Sequence, residues 1–347
     1  MITIIIAGGS GTRLWPLSTP DYPKHLLKIN GSEASLLQNT YKRVKDISRA
    51  VYVITEKGHA NHIKDQLPEL KDDSFIIEPA RRGTASCILS GLVRVHKEYG
   101  EAESVVFLAA DHYIRDTKGF AHTYKLAADI STANNRIVLV GIEPDYPSTG
   151  FGYIKKGDLF DEEHFVFKVH SFKEKPDFAT AQKYLKIGDY LWNSGTFVGS
   201  VGTFVEKMKH FAPGLFESYE SLSAAKTKND FNDEYLKLEN VAIDYALMEK
   251  TKDLLVLPAS FDWMDLGSYQ DLHKAVESNE KGNHSHGPNI ELEGVTNSYV
   301  QNHEQKPVAV IGLDNIAVIN SPNGLLVTRK DLAQAVGDVS KRFKKER

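Results

Sequence analysis

Residues 2–13, ITIIIAGGSGTR, constrain the fold of this chain more than any other stretch. Ile4, Ile5 and Ile6 form an apolar run of the kind shown by a strand buried on both faces of a parallel sheet. Gly8, Gly9 and Gly11 follow at once, with Arg13 and Lys24 supplying positive charge. Glycines let the backbone turn tightly and let N–H groups approach an anion. Arg13 offers a planar fork to phosphate oxygens, and Lys24 a mobile point charge. Two familiar glycine loops do not fit. A dinucleotide fingerprint needs a glycine three places after Gly11, where Leu14 stands, and Pro16 interrupts any helix there. A P-loop closes on Gly-Lys-Ser/Thr, whereas Thr12 and Arg13 follow Gly11 and the lysine comes thirteen residues later.

Behind the loop, apolar runs alternate with helical patterns. Strands are predicted at 2–7, 51–54, 75–77 and 105–109, with helices at 35–45, 60–70 and 84–98. Such alternation implies βαβ units, hence an α/β fold with a mainly parallel sheet covered on both faces. Ligands of these sheets bind beyond the carboxyl ends of the strands. The glycine loop, Glu78-Pro79 and Asp111 all fall there. A further strand at 136–141 leads into the turn-rich EPDYPSTGFGYI, and 150–200 changes to longer alternating strands with a helix between them. Helices are expected at 201–210, 213–225 and 242–250, the last capped near Asn240 with Ala242, Ile243, Ala246 and Leu247 on one apolar side. Residues 277–306 are polar and glycine-containing, which places a boundary near 280. Beyond it VAVIGL, IAVIN and LLVT read as short strands of a small β appendage, one or two coils of a left-handed β-helix, ending in a helix at 332–342.

Charge and cysteine usage narrow the setting. A net charge of −4 gives no electrostatic reason to expect nucleic acid, and the basic tail from Lys341 to Arg347 reads as a solvated terminus. The single cysteine, Cys87, excludes an intramolecular disulfide and agrees with a reducing compartment. No signal-type segment opens the chain and no apolar run is long enough to span a membrane, so a cytoplasmic protein is expected.

The pattern GxGxR, then Leu14, Pro16 and Pro23-Lys24, resembles the opening signature of the sugar-1-phosphate nucleotidylyltransferases. Trp15 within GTRLWPLS resembles the mannose-1-phosphate guanylyltransferase branch. The resemblance continues in order through six motifs, from residue 4 to about 272, and more loosely through VAVIGLDNIAVI. It implies a Rossmann-like, GT-A-like nucleotidyltransferase domain over 1–280, with a nucleotide half at 1–145 and a sugar-phosphate part at 146–280, and a small domain over 281–347. Gly8, Gly9, Gly11, Thr12, Arg13 and Lys24 would hold the nucleotide together with Glu78, Thr84, Ala85 and Asp111. The segment EPARRGTASC departs from the family at Gly83, Ser86 and Cys87, asparagine being usual at the first, and His25 stands where glutamine is commoner.

Two aspartates carry the metal expectation. Asp111 in LAADH ends a buried strand, and a carboxylate there suits Mg²⁺ alongside water and substrate phosphates. The alternative is a cap for the next segment, with His112 an ordinary core histidine. Asp265 in FDWMDLGSY resembles the family's second metal ligand, with a helix N-cap as the alternative and Asp262 as the internal competitor. On the sugar side SFKEKP and YLWNSG match the family. Glu174 and Asn193 suit sugar hydroxyls, Lys175 the sugar phosphate, and Gly152 a close backbone approach. IDYALMEK, 243–250, also matches a family segment and is assigned to helix packing without chemistry.

The resemblance therefore implies an enzyme, with Arg13, Lys24 and Lys175 catalytic, that joins GTP and α-D-mannose 1-phosphate into GDP-mannose and diphosphate. Mg²⁺ is the expected cofactor and a homodimer the expected assembly, without nucleic acid or membrane as partners. Relatives with an added phosphomannose isomerase domain extend well past 347 residues, so isomerase activity is not expected. Two rivals stay open at this stage: another nucleotide or sugar 1-phosphate, and a non-catalytic nucleotide-sugar sensor. A sensor would be expected to lose charged site residues, and all are present.

Overall fold

Strands buried on both faces assemble side by side, and here they form one large sheet. In the computed structural model, which describes residues 1–9, 11–29 and 31–343, the first ten strands are β1 (Ile2–Ile6), β2 (Ala50–Glu56), β3 (Phe75–Glu78), β4 (Ser104–Ala109), β5 (His112–Tyr113), β6 (Val138–Ile142), β7 (Tyr153–Asp161), β8 (Val166–Lys173), β9 (Tyr190–Ser200) and β10 (Leu255–Pro258). All but β5 join a nine-stranded sheet ordered β3-β2-β1-β4-β9-β6-β10-β8-β7. Pairings from β3 to β4 and between β6 and β10 are parallel, and every pairing made by β7, β8 or β9 is antiparallel. The sheet is thus mixed, with its parallel character strongest where the βαβ units lie.

Alternation within β1 explains the cover on both faces. Ile4 packs with Leu89 and Phe107 on one side, and Ile5 with Leu37 and Leu108 on the other. The first helix, Leu36–Lys45, starts as the sequence suggests, because Ser35 and Gln38 form a reciprocal capping box with bonds of 3.1 and 2.9 Å. One long helix, Thr117–Asn134, is absent from the sequence reading. Asp116 caps it, and its buried face includes Thr123, Ala127, Ala128 and Ser131, small or polar residues that blur the apolar period. The segment expected as a helix at 242–250 contains instead a π-helical turn, Asp244–Met248.

A two-residue strand, β11 (Met264–Asp265), pairs with β5 beside the main sheet. The polar, glycine-containing stretch 277–306, in which the sequence places a boundary, is largely structured, with β12 (His284–His286), β13 (Ile290–Glu293) and β14 (Tyr299–Asn302). With β15 (Val308–Ile311) and β16 (Ile316–Ser321) they stack as a short parallel β-helix, and β17 (Gly324–Arg329) closes it as an antiparallel edge strand on β16. Residues 18 apart sit one above another, as Asn302 and Asn320 do through a 2.8 Å bond. Asn289, Asn297 and Asn315 turn the corners with φ of 54°, 46° and 55°, so the polar composition reflects corners and not disorder. A 3-10 turn and the helix Val336–Arg342 close the described chain, and the basic tail from 344 onward lies outside the described residues. Beyond 280, Val295, Val300, Val310, Ile316 and Val318 form a cluster of their own, and a second cluster spans the boundary. Leu14, Leu27, Leu266 and Tyr269 share one cluster with Tyr299, Ile319, Leu326 and Val336.

Candidate active site

β1 has β2 on one side and β4 on the other, so the chain departs in opposite directions from their carboxyl ends and leaves a crevice between them. Ile6 is level with Ala109, which brings the glycine loop and Asp111 out at the same height. Gly8, Gly9, Gly11, Thr12, Arg13, Lys24 and Asp111 line a cavity of about 230 Å³ there. Gly11 is in the left-handed region with φ 55°, and a Cβ on it would stand 2.6 Å from the Lys24 nitrogen. Only glycine allows the loop to fold back onto the segment carrying Lys24. Among the described residues Arg13 makes no ion pair, so its guanidinium is available to an anion.

The β5–β11 pairing sets Asp265 opposite His112, next to Asp111. Both carboxylates then converge on one ammonium: Lys24 Nζ lies 2.5 Å from Asp265 Oδ1 and 3.0 Å from Asp111 Oδ2. Burial pulls the Lys24 pKa down, but the two carboxylates outweigh it and raise it above the ordinary lysine value. Burial likewise pushes Asp111 up, yet Lys24 and then His112 hold it well below the usual carboxylate range. Lys24 and Asp111 are therefore both charged at neutral pH. Asp262, the competitor, is engaged elsewhere, accepting from Arg115 N at 3.0 Å, Arg115 Nε at 2.9 Å and Asp116 N at 2.7 Å. The two carboxylates are hard oxygen donors of the kind a divalent cation takes, and in this structure the point on which they converge is held by the Lys24 ammonium.

A second cavity of about 160 Å³ adjoins the first, lined by His112, Gly152, Glu174, Asn193, Asp244 and Asp265 among others. Asp265 thus faces this cavity while bonding the lysine of the first. At Gly152 a Cβ would meet Glu174 Oε2 and stand 3.2 Å from Asn193 Cβ. Lys175 is not among the residues lining either cavity; it is more than half exposed, with Nζ 3.0 Å from Glu174 Oε1 and a left-handed φ of 42°. Backbone strain at such a residue is typical of functional sites.

Glu78, Thr84 and Ala85 line neither cavity. The Glu78 carboxyl is buried against the Tyr235 hydroxyl and the Cys87 thiol, and burial raises its pKa. Thr84 Oγ1 accepts from Ile243 N at 2.9 Å, and Ala85 N donates to Val241 O at 3.2 Å. Conversely, Asp244 comes into the second cavity although the sequence pattern gave its segment to packing. The signal available was a charge at the head of an apolar face, in IDYAL.

A phosphate-type loop, a cation held by two carboxylates and an adjoining polar cavity at a sheet switch point define a nucleotide-handling α/β transferase. The chain belongs to the nucleotidyl transferase family, which its residues 2–282 match. Residues 289–343 match the MannoseP isomerase/GMP-like beta-helix domain. The xanthan biosynthesis protein XanB of Xanthomonas campestris pv. campestris is 35% identical over 352 residues, covering 99% of this chain and 73% of that protein. A mannose-1-phosphate guanylyltransferase of Escherichia coli K12 is 33% identical over 352 residues, covering 98% and 73%. A crystal structure from Thermus thermophilus, described as a mannose-1-phosphate geranyltransferase, is 27% identical and superposes with a TM-score of 0.89 over 99% of both chains.

Proposed function

We infer that the protein is a mannose-1-phosphate guanylyltransferase, converting GTP and α-D-mannose 1-phosphate to GDP-mannose and diphosphate. The observation that carries this reading is the Asp111–Lys24–Asp265 constellation standing between a phosphate-type loop and a polar cavity, in a chain similar along nearly its whole length to enzymes of that name.

A phosphate oxygen of the sugar 1-phosphate forms the new bond to the α-phosphorus of GTP. The bond from that phosphorus to the β-phosphate oxygen breaks, and its electron pair leaves with diphosphate. A phosphate monoester has a second pKa near about 6, so the nucleophile is already ionised at neutral pH and no general base is required. The residues therefore act by position and charge. N–H groups of the loop at Gly8, Gly9, Gly11 and Thr12, with Arg13 and Lys24, take the triphosphate. Lys175 takes the attacking phosphate, and Gly152, Glu174 and Asn193 take the sugar. Glu78, Thr84 and Ala85 form the frame behind the base. Asp111 and Asp265 would hold Mg²⁺, which when bound neutralises charge between the α-phosphate and the leaving diphosphate. We propose a cytoplasmic homodimer. The lone buried thiol Cys87 supports a reducing compartment, and Leu325 and Val327, exposed together on the edge strand β17, support a partner copy.

Diphosphate release measured over four nucleoside triphosphates and several sugar 1-phosphates with Mg²⁺ tests the assignment. GTP with mannose 1-phosphate should give the highest kcat/KM. Equal turnover with UTP, dTTP or another sugar would overturn the substrates and leave the reaction class standing.

A further inference from the structure

Asp244 is the group in this molecule whose placement is least explained by folding. It is 9% exposed and faces the second cavity beside Gly152, Glu174 and Asn193. Asn193 Nδ2 donates to its Oδ1 at 2.8 Å, and its other oxygen takes no hydrogen bond from another described residue. No lysine or arginine pairs with it among the described residues, the nearest cation, Lys175, being paired with Glu174. Burial first, then the Glu174 charge, pushes its pKa up to about 6, with a hydrogen bond from its own backbone amide, then Lys175 and Asn193, pulling part of the way back. A carboxyl taken out of water without a cation costs stability, and an asparagine would serve the bond to Asn193 equally well.

The backbone goes to some length to put it there. Val241 N donates to Arg82 O at 3.3 Å, Ala85 N to Val241 O at 3.2 Å and Ile243 N to the Thr84 hydroxyl at 2.9 Å, so the head of the helix Gly83–Tyr99 clamps 241–243. Gly83 has φ 79°, and a Cβ there would stand 2.7 Å from Val241 C and 2.9 Å from Val241 N while colliding with its carbonyl oxygen. This gives a physical reason for glycine where the family has asparagine: the position is occupied by the 241–243 strap. The strap then enters the π-turn that starts at Asp244, a local geometry found mainly at functional sites.

The chemistry of the cavity says what the carboxyl is for. Glu174, Asp244 and the Asn193 carbonyl are acceptors, which match a ring of hydroxyl donors, and two carboxyls repel a phosphate. A sugar 1-phosphate is thereby sorted end for end, hydroxyls inward and phosphate toward Lys24 and Lys175. We propose that Asp244 is a sugar-binding, specificity-determining residue whose second carboxylate oxygen accepts a hydrogen bond from one hexose hydroxyl, with Gly83 and Thr84 as the positioning residues that aim it. This rests on the function proposed above.

The test is a substrate–mutant cycle. kcat/KM is measured for mannose 1-phosphate and its monodeoxy analogues with the wild type, Asp244→Ala and Asp244→Asn, and KM for GTP is measured in parallel. The wild type should disfavour one deoxy analogue by roughly 10- to 150-fold, the range of a hydrogen bond to a charged group. In Asp244→Ala that discrimination should vanish for the same analogue and persist for the others, with KM for GTP unchanged. Thr84→Val, which removes the acceptor for Ile243 N, should blunt the discrimination against that same analogue and leave the others as in the wild type. Undiminished discrimination in Asp244→Ala for every analogue, or a loss shared equally by GTP, would overturn the proposal. Asp244→Asn keeps shape and the bond to Asn193, so if the alanine variant fails to fold, full discrimination in the asparagine variant overturns the proposal and reduced discrimination upholds it. If the wild type itself prefers another sugar 1-phosphate, the substrate reading falls, and the same cycle on that sugar's deoxy analogues decides the role of Asp244.

Discussion

Replacing Asp265 by asparagine separates the two roles that the structure gives its carboxylate. Asp265 shares Lys24 with Asp111, at 2.5 and 3.0 Å, so Asp265→Asn removes one of two anions and leaves the buried ammonium still paired. A charge-assisted hydrogen bond contributes roughly 1.5–3 kcal/mol, which bounds the loss of stability. Losing a placed electrostatic stabiliser of the transition state costs more, roughly 2.7–4 kcal/mol or on the order of 10²–10³ in kcat. Asp111→Asn should behave alike. Asp262→Asn is the control. It keeps an acceptor oxygen for Arg115 N and Asp116 N and loses only a charge facing the Arg115 side chain, which is 71% exposed. That exposed pair accounts for about 0–1 kcal/mol, and kcat should not change. Diphosphate release at saturating substrate over a Mg²⁺ series, beside urea unfolding of each variant, measures both quantities. Near-normal kcat with unchanged Mg²⁺ dependence in both Asp111→Asn and Asp265→Asn would refute the reasoning, and a large loss in Asp262→Asn would move the metal to that residue.

Lys175→Ala should raise KM for mannose 1-phosphate by roughly 10- to 150-fold, the equivalent of one charge-assisted contact, without weakening GTP. A selective loss of GTP affinity, read by titrating the substrates separately, would place Lys175 on the wrong substrate. Asp244→Asn should stabilise the protein in a pH-dependent way. The folded pKa of about 6 lies above the ordinary 3.8, so the folded state holds its proton longer than the unfolded chain. The resulting cost is absent below about pH 4, grows through the window between the two values and is complete above about pH 6, where it reaches roughly 3 kcal/mol. Urea midpoints of variant and wild type should therefore diverge from pH 4 to pH 7 in favour of the variant, and a constant difference would show that burial at Asp244 is not what Glu174 and the cavity impose.

What the sequence made legible follows from how locally each feature is encoded. The loop and its cations stand within residues 8–24, at spacings the backbone requires, and β1 announces itself because a strand covered on both faces has no polar alternation to hide it. Asp265 was read from the resemblance of FDWMDLGSY to a family segment, since nothing local distinguishes it from Asp262. The partners that separate them, Lys24 for one and Arg115 for the other, lie 241 and 147 residues away. The helix Thr117–Asn134 was illegible because Thr123, Ala127, Ala128 and Ser131 on its buried face dilute the apolar period set by Phe120, Tyr124 and Ile130. The coils at 284–302 were illegible because a β-helix buries little per strand and spends its polar residues at corners, which mimics a linker. Glu78 was read by motif as a nucleotide residue, but its carboxyl meets Tyr235, a contact 157 residues distant that no window of sequence contains.

The same long-range contacts explain how a glycine loop can be a precise instrument. Left to itself, such a loop would lose roughly 1–2 kcal/mol of backbone freedom per residue each time it closed on a triphosphate. Here residues 12–16 are held from behind before any ligand arrives. Tyr269 donates to the carbonyls of Leu14 at 2.8 Å and Trp15 at 2.9 Å. Ser321 and Asn323 donate to Pro16 O at 3.2 and 3.1 Å, the Trp15 ring lies over Gly324 and against Phe343, and Ser340 reaches Thr12 O. Leu14 is buried in the core shared with Tyr299 and Val336. For five residues the ordering cost amounts to roughly 5–10 kcal/mol, met once on folding and not again on binding. The β-helix is therefore mechanically part of the glycine-loop crevice: none of its residues lines either cavity, yet it helps hold the backbone from which Arg13 projects. A boundary near residue 280 marks a change in composition, and the contacts that hold the segment after the glycine loop extend across it.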